Sequence, residues 1–448
     1  MRDIILLAAI LGIIPAILGA PQIGVIVWAW VSLMSPQREV YSFLNGFELN
    51  FYITLLTMFA WVLSRETKSI IKNPVTVLLV LFGIWVSVTT YFALAPAYSE
   101  LDWDRTAKTV VLTIAILATI KNKVRIQGMI WVIAISLGFF AVKGGGFTLF
   151  TGGAHTVFGP ESSMIEDNNN LGLALVMVLP LFNYLRTTSR EKVVSILCFV
   201  TMGLTLIAII GTYSRGALLA LVALGAFYAL RSRAGILPLI LGVLLVVTLP
   251  RIVPNAWFDR MGTISSANED ASFEGRMAAW KTSWNVAMAR PILGGGFSSI
   301  QMKWVTERYS SPGSLTEGKA AHSIFFEVLG DHGFVGLILY LALVLAALRN
   351  TMSVMRYAAR DPTLYWAREL ARTMQACIVG FLVGGAALSM AYYDGFLILL
   401  ALTASLDAAV RRSEAAAPVR PWSGETTAAL LHPSYRARRK ALALPAAD

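Results

Sequence analysis

Val193–Tyr213 reads VVSILCFVTMGLTLIAIIGTY, and after Ser214 and Arg215 the chain continues from Gly216 to Leu230 as GALLALVALGAFYAL. Neither run shows the polar stripe of a helix on the surface of a soluble protein. The first is long enough to cross a hydrocarbon core of roughly 30 Å as a helix, and the second nearly so. The chain is therefore read as spanning a membrane here, with one arginine near the turn between two spans.

The same pattern extends in both directions. Apolar runs occupy Phe51–Ser64, Val75–Leu94, Thr106–Ile120, Ile126–Ala141 and Leu171–Leu185 before it, and Ile236–Leu249, Phe334–Leu348, Thr373–Met390 and Gly395–Val410 after it. The stretch Ile4–Met34, broken by Pro15, Gly19 and Pro21, is either one long interrupted span or a hairpin of two short ones. Over 448 residues the chain is 56% hydrophobic and 14% charged, with mean hydropathy +0.66. A soluble protein would carry nearer 25% charged residues. The expected fold is an all-α transmembrane helix bundle of roughly 12 or 13 spans. Its N-terminus lacks a small-residue cleavage site before a polar region, which argues against a secreted enzyme with a cleaved signal.

The formal charge of +11 has a topological explanation. One set of short breaks holds Arg65, Lys68 and Lys72; Lys121, Lys123 and Arg125; Arg186, Arg190 and Lys192; Arg231 and Arg233; and Arg349, Arg356, Arg360, Arg368 and Arg372. The alternate breaks are poor in Lys and Arg, and that from Ala95 to Asp104 is acidic. Basic breaks favour the cytoplasm, which places the C-terminus inside as well. The charge thus reflects topology and attraction to lipid headgroups, and nucleic acid is not an expected partner. The expected divisions are N-terminal spans in 1–142, central spans with an outside loop in 143–249, a large outside loop in 250–333, C-terminal spans in 334–410, and a disordered inside tail in 411–448. Long loops on one face of a rigid scaffold tend to carry function.

Cys198 and Cys377 lie in apolar runs and read as core residues, while His155, His322, His332 and His432 are too scattered for a metal cage. No HExxH, CxxC or Walker-type loop occurs, so neither metal nor cofactor is expected. The candidate chemistry lies on the outside face. Arg215, beside Ser214, is either a snorkelling residue at a helix end or a forked clamp for phosphate. Arg276, Trp280 and Trp284 recur at a spacing of four, which on a helix makes one face; the tryptophans suit interface packing, and the arginine suits a phosphate-bearing ligand. Arg260 and Arg290 are weaker candidates of the same kind. Pro291-Ile292-Leu293-Gly294-Gly295-Gly296 is a helix stop or, less simply, a phosphate cradle. His322 opens an apolar helix and can take a proton near neutral pH, with Glu327 and Asp331 as groups that could orient it. Asp167, Asn168, Asn169 and Asn170 suit helix capping, and equally contacts to sugar hydroxyls.

Taken in order, Ser214-Arg215-Gly216 at a span boundary, Arg276 with Trp280, Pro291 with Gly294 and Gly296, His322, and the Glu327, Gly330, Gly333, Gly336 run resemble the O-antigen ligase and O-antigen polymerase superfamily. The order matches over about residues 171–340. Met1–Pro36 and the stretch from Gly159-Pro160 to Asn170 are similar to a subgroup of O-glycosylation ligases associated with exosortase A systems. The resemblance implies a GT-C-like inner-membrane enzyme with its active face in the periplasm. It would move a glycan from undecaprenyl diphosphate to a hydroxyl on a protein, lipid or glycan acceptor. Carried over by position, Arg215 and Arg276 would bind the diphosphate and His322 would be the general base. With no convincing carboxylate nucleophile, a single displacement would invert the anomeric centre. The Ser310–Ser314 run reads as a mobile loop, so no acceptor contact is carried over.

A polymerase that adds one lipid-linked repeat to another needs the same clamp and base, and the resemblance does not separate it from a ligase. A transporter of lipid-linked sugar would instead favour broken helices and charges at the membrane midplane. Here the polar candidates gather on the outside face.

Overall fold

The computed structural model describes residues 1–231, 269–310 and 318–416. The expected span Ile236–Leu249, Arg260, His432, most of the Ser310–Ser314 run and the tail beyond 416 lie outside the described residues. Among the described residues there is no strand. Fourteen α-helices follow in order: α1 (Arg2–Gly19), α2 (Pro21–Met34), α3 (Leu49–Leu63), α4 (Pro74–Tyr91), α5 (Pro96–Thr119), α6 (Lys123–Phe150) and α7 (Asn168–Thr188). After these come α8 (Lys192–Gly211), α9 (Arg215–Arg231), α10 (Glu269–Ala289), α11 (Lys303–Tyr309), α12 (Ile324–Ala358), α13 (Tyr365–Gly385) and α14 (Asp394–Ala416).

Six of these helices, α1, α4, α6, α7, α8 and α12, are long and apolar enough to cross a membrane. Their burial follows the logic of a lipid solvent. The most apolar of the six, α8, is only 22% buried, whereas α7, the least apolar, is 78% buried. A soluble fold would hide its greasiest helix; a bilayer rewards showing it. Val193, Ile196, Leu197, Phe199 and Val200 accordingly face outward from α8. The chain is a multi-pass, all-α membrane protein. Its centre is made by α7, α13 and α14, and the side chains from Phe396 to Leu402 are all fully or almost fully buried.

Local chemistry sets the helix ends. Asn73 and Asn122 cap α4 and α6 by accepting from the N–H of Val75 (2.9 Å) and Arg125 (3.0 Å). These caps satisfy donors that a helix start leaves open. The N-terminal stretch is two helices, because Ala20 is extended and Pro21 starts a new helix where its missing N–H costs nothing. Two helices begin earlier than their apolar runs. The acidic residues Glu100, Asp102 and Asp104 lie on α5 itself, and α12 starts at Ile324, ten residues before Phe334. The run Thr373–Met390 ends as helix at Gly385, and residues 386–393 form a connection.

The early start of α12 is made possible by a kink. Gly333 has φ 67° and ψ −170°, a region open essentially to glycine. The main-chain groups freed there bond to the Pro291–Gly296 turn. Phe334 N–H donates to Pro291 C=O (2.9 Å), Gly295 N–H to Gly330 C=O (2.8 Å), and Gly296 N–H to Asp331 C=O (2.8 Å). With Gly294 N–H on Arg290 C=O (2.9 Å), all three glycine amides are committed. The turn is therefore a clasp on α12, and none of its glycine amides is left to cradle a phosphate.

A Cβ added at Gly294, whose φ is 65°, would lie 2.6 Å from Asp331 O, and one at Gly333 would lie 2.6 Å from Ile292 O. Gly294→Ala and Gly333→Ala are expected to lower stability by at least ~2 kcal/mol, from backbone strain plus contact with rigid main chain. Gly146→Ala on α6, with nothing within 4 Å, is the control. It should be neutral or slightly stabilising. Thermal melts of the purified protein in detergent check all three.

Candidate functional site

The turn between α8 and α9 presents Arg215. The chain leaves α8 through Tyr213, held at φ 54°, and the fully buried Ser214 caps α9 by accepting from Ala217 N–H at 3.2 Å. Arg215 is the first residue of α9. Asn168, at the start of α7, donates from its side chain to Thr212 C=O at 2.7 Å and ties the two helix starts together. Gly172 lets α7 approach that turn, since a Cβ there would lie 2.8 Å from Ala217 Cβ. The end of α13 and the connection after it also pack here, with Gly384 and Leu388 against Gly216.

Helix α10 carries Arg276 and Trp280 one turn apart. The Trp280 indole N–H donates to Ala321 C=O at 2.7 Å, and its ring stacks on Phe326 with centroids 5.1 Å apart. Trp280 thereby fixes the segment that carries His322, a task beyond the interface packing expected of it. Trp284, further along, is half exposed and meets Phe334 edge-on.

His322 has φ 45°, in the left-handed region, and its main-chain N–H donates to Ser389 Oγ at 2.8 Å. Its side chain remains open to solvent. Three elements therefore hold this one residue: α10 through Trp280, α12 through the adjoining Ser323, and the 386–393 connection through Ser389. Ser389 was missed in the sequence because it lies inside an apolar run. The signal available was the polar cluster Tyr392, Tyr393, Asp394 that ends the run.

Electrostatics links Arg215 to Arg276 and Arg276 to His322. Partial desolvation lowers the pKa of Arg276, and the positive charge of Arg215 lowers it further. The pKa of His322 is lowered chiefly by desolvation, then by Arg276; Asp167 opposes this, and Lys319 adds to it. Arg276 is thus near enough to feel Arg215 and to act on His322, although the three are widely separated in sequence. Lys319, not singled out from the sequence, belongs to the same field. An imidazole shifted downward is neutral at pH 7 and free to accept a proton.

The supporting candidates have mostly architectural partners. Glu327 accepts from Ala391 N–H at 2.9 Å, and Asp331 accepts from the Tyr392 hydroxyl at 2.9 Å and from Ser298 N–H at 3.1 Å. Both acids thus hold the connection that holds His322, and neither shares a described hydrogen bond with its ring. Asp167 caps α7 by accepting from Asn169 N–H at 2.9 Å, and the Asn169 side chain donates to Asn168 Oδ1 at 3.2 Å. Arg290 donates to Phe92 C=O and anchors the end of α10 to the end of α4. His332 is fully buried, with Nδ1 2.6 Å from the Thr89 hydroxyl and the Phe297 ring 4.5 Å away. It is part of the core.

Comparison with known proteins is consistent with this geography. Residues 198–341 match a family described as O-Antigen ligase, and this segment contains Arg215, Arg276 and His322. Residues 1–211, from α1 to the end of α8, match a family of unknown function (DUF5935). No curated protein matches the chain.

Proposed function

We propose that this protein is a membrane glycosyltransferase that moves a glycan from undecaprenyl diphosphate to a hydroxyl acceptor at the periplasmic face of the bacterial inner membrane. The observation that carries the proposal is that Arg276 stands between the two, coupled electrostatically to Arg215 on one side and to a partly desolvated His322 on the other. The O-Antigen ligase match over the same residues supports it.

In the reaction, the acceptor oxygen forms a bond to the anomeric carbon while the bond from that carbon to the diphosphate oxygen breaks. The leaving electron pair goes to the diphosphate, where the two guanidinium groups offset the growing charge. Preorganised cations are suited to this because they need not reorient as the charge develops. His322 takes the proton from the acceptor hydroxyl as it attacks. One displacement inverts the anomeric centre. The ligase reading takes a protein or lipid-linked acceptor, and the Met1–Pro36 and Gly159–Asn170 similarity to the subgroup linked to exosortase A systems supports the ligase side of it.

The test is a reconstituted reaction of purified undecaprenyl-diphosphate glycan with candidate protein, lipid and glycan acceptors, read by mass spectrometry. A single glycan added per acceptor fits a ligase, and a ladder of repeats fits a polymerase. Absence of transfer to every acceptor class, with movement of intact lipid-linked glycan across the bilayer, would replace the proposal with transport.

The pH profile gives a finer check. A base must be neutral, so the rate falls as pH drops through the His322 pKa, which lies below the ordinary value of about 6.5. Lys319→Gln removes a charge that lowers this pKa, so the acid limb of kcat/KM should move to higher pH. Asp167→Asn removes the charge that raises it, so the limb should move to lower pH. Two variants shifting in the same direction would contradict the assignment of the limb to His322.

A further inference from the structure

The far end of α12 carries a second polar site. From Gly333 to Arg356 the helix rises ~35 Å, about one hydrocarbon thickness, so Arg356 stands at the opposite membrane boundary from the clasp. There, Ser353, Arg356, Tyr357 and Arg360 line a cavity of about 300 Å³. Ser353, Arg356 and Tyr357 lie on the last turns of α12, with Ser353 and Arg356 three apart on one face, and Arg360 follows just past the helix end.

Arg411, on α14, organises the back of this cavity. Its Nε donates to Asp407 at 2.8 Å, and its two terminal nitrogens donate to Ser353 Oγ (2.9 Å) and to the Tyr357 hydroxyl (3.2 Å). Asp407 is buried and lies beside the buried pair Asn73 and Asn350, whose amides bond to each other. The Arg411 fork is therefore held from within the bundle. Its effect on the cavity is directional. Both hydroxyl oxygens already accept from a cation, which favours turning their own protons toward an incoming anion.

Arg356 and Arg360 have exposed side chains and form no ion pair among the described residues. Asp361, next in the chain, is turned to cap Thr363 N–H at 2.8 Å. Two hydroxyl donors and two arginines thus face one space, with Asp361 and Asp407 committed elsewhere. That is a donor set for a phosphate group, which takes hydrogen bonds on several oxygens and pairs with guanidinium forks.

We propose that this cavity binds a phosphate group at the membrane boundary, remote from the Arg215, Arg276 and His322 site and independent of the transfer reaction. Its position at headgroup depth makes an anionic phospholipid one source; a soluble phosphate compound is the other. The experiment titrates detergent-purified protein with phosphatidylglycerol, phosphatidylcholine or inorganic phosphate, reading bound lipid by native mass spectrometry and phosphate by calorimetry. Phosphatidylglycerol should be retained over phosphatidylcholine, and Arg356→Gln with Arg360→Gln should weaken it about 25-fold, near fivefold for each charge. Ser353→Ala with Tyr357→Phe should weaken it while leaving net charge unchanged. Inorganic phosphate that binds the wild type and is lost in the arginine variant also supports the site and identifies a soluble source. Retention of the phosphatidylglycerol preference by the arginine variant would overturn the proposal. So would a wild-type protein that prefers neither phosphatidylglycerol to phosphatidylcholine nor phosphate to chloride, a result that needs no variant to fold.

Discussion

Arg276→Ala is expected to lower glycan transfer by about 10²–10³-fold, the usual loss when one preorganised donor to a developing anion is removed. The same change should leave the melting temperature unchanged or slightly higher. Arg276 is partly desolvated, forms no ion pair among the described residues, and feels the charge of Arg215, so it works against the stability of the empty protein. Alanine removes that opposition. Loss of activity without loss of stability is what distinguishes a ligand clamp from an architectural residue. Arg276→Lys should recover little, since an ammonium is a point charge without the planar fork that meets two phosphate oxygens. Arg215→Ala should cost a similar factor in transfer. Initial rates at saturating acceptor, alongside thermal melts, check both. Normal rates in both alanine variants would remove the diphosphate from this site.

Replacement of His322 should slow transfer by about 10²–10⁴-fold, the range of general-base catalysis. The choice of replacement matters because the residue is held at φ 45°. Alanine lacks the polar side chain that makes histidine and asparagine better tolerated in the left-handed region, so it mixes a backbone effect with the loss of the imidazole. Asparagine tolerates that region and has no comparable basicity. His322→Asn should therefore insert and melt like the wild type, lose transfer, and lose the acid limb of the pH profile. Ser389→Ala is its companion, since it removes the acceptor of the His322 N–H while leaving the ring. A weaker rate with the acid limb retained would mark Ser389 as a positioning residue. A His322→Asn protein with full transfer would remove the base.

The spans were legible because their signal is solvent chemistry, strong in every residue. Their ends were less so, because charge on a helix reads as an interruption. Glu100, Asp102 and Asp104 hid the start of α5, although Asp102 merely accepts from the Ser298 hydroxyl at 2.6 Å. Asp331 and His332 hid the start of α12 in the same way, although both are buried and partnered. The opposite error covered residues 386–393, where an apolar stretch concealed a connection. Which residues meet across the bundle is a matter of tertiary packing. Nothing local in Trp280 points to Ala321, and nothing local in Glu327 points to Ala391. The glycine run admitted two meanings in the sequence, and only the destination of its amides separates them.

The joint between the Pro291–Gly296 turn and α12 is built from main-chain atoms. Such a fastening depends on shape and is nearly blind to the side chains around it. Ile292 and Leu293 can drift, and so can the segments before and after the joint, provided Gly294, Gly296 and Gly333 stay. A scaffold fastened this way would let the surface that meets an acceptor diversify from one relative to the next while the reacting groups keep their register.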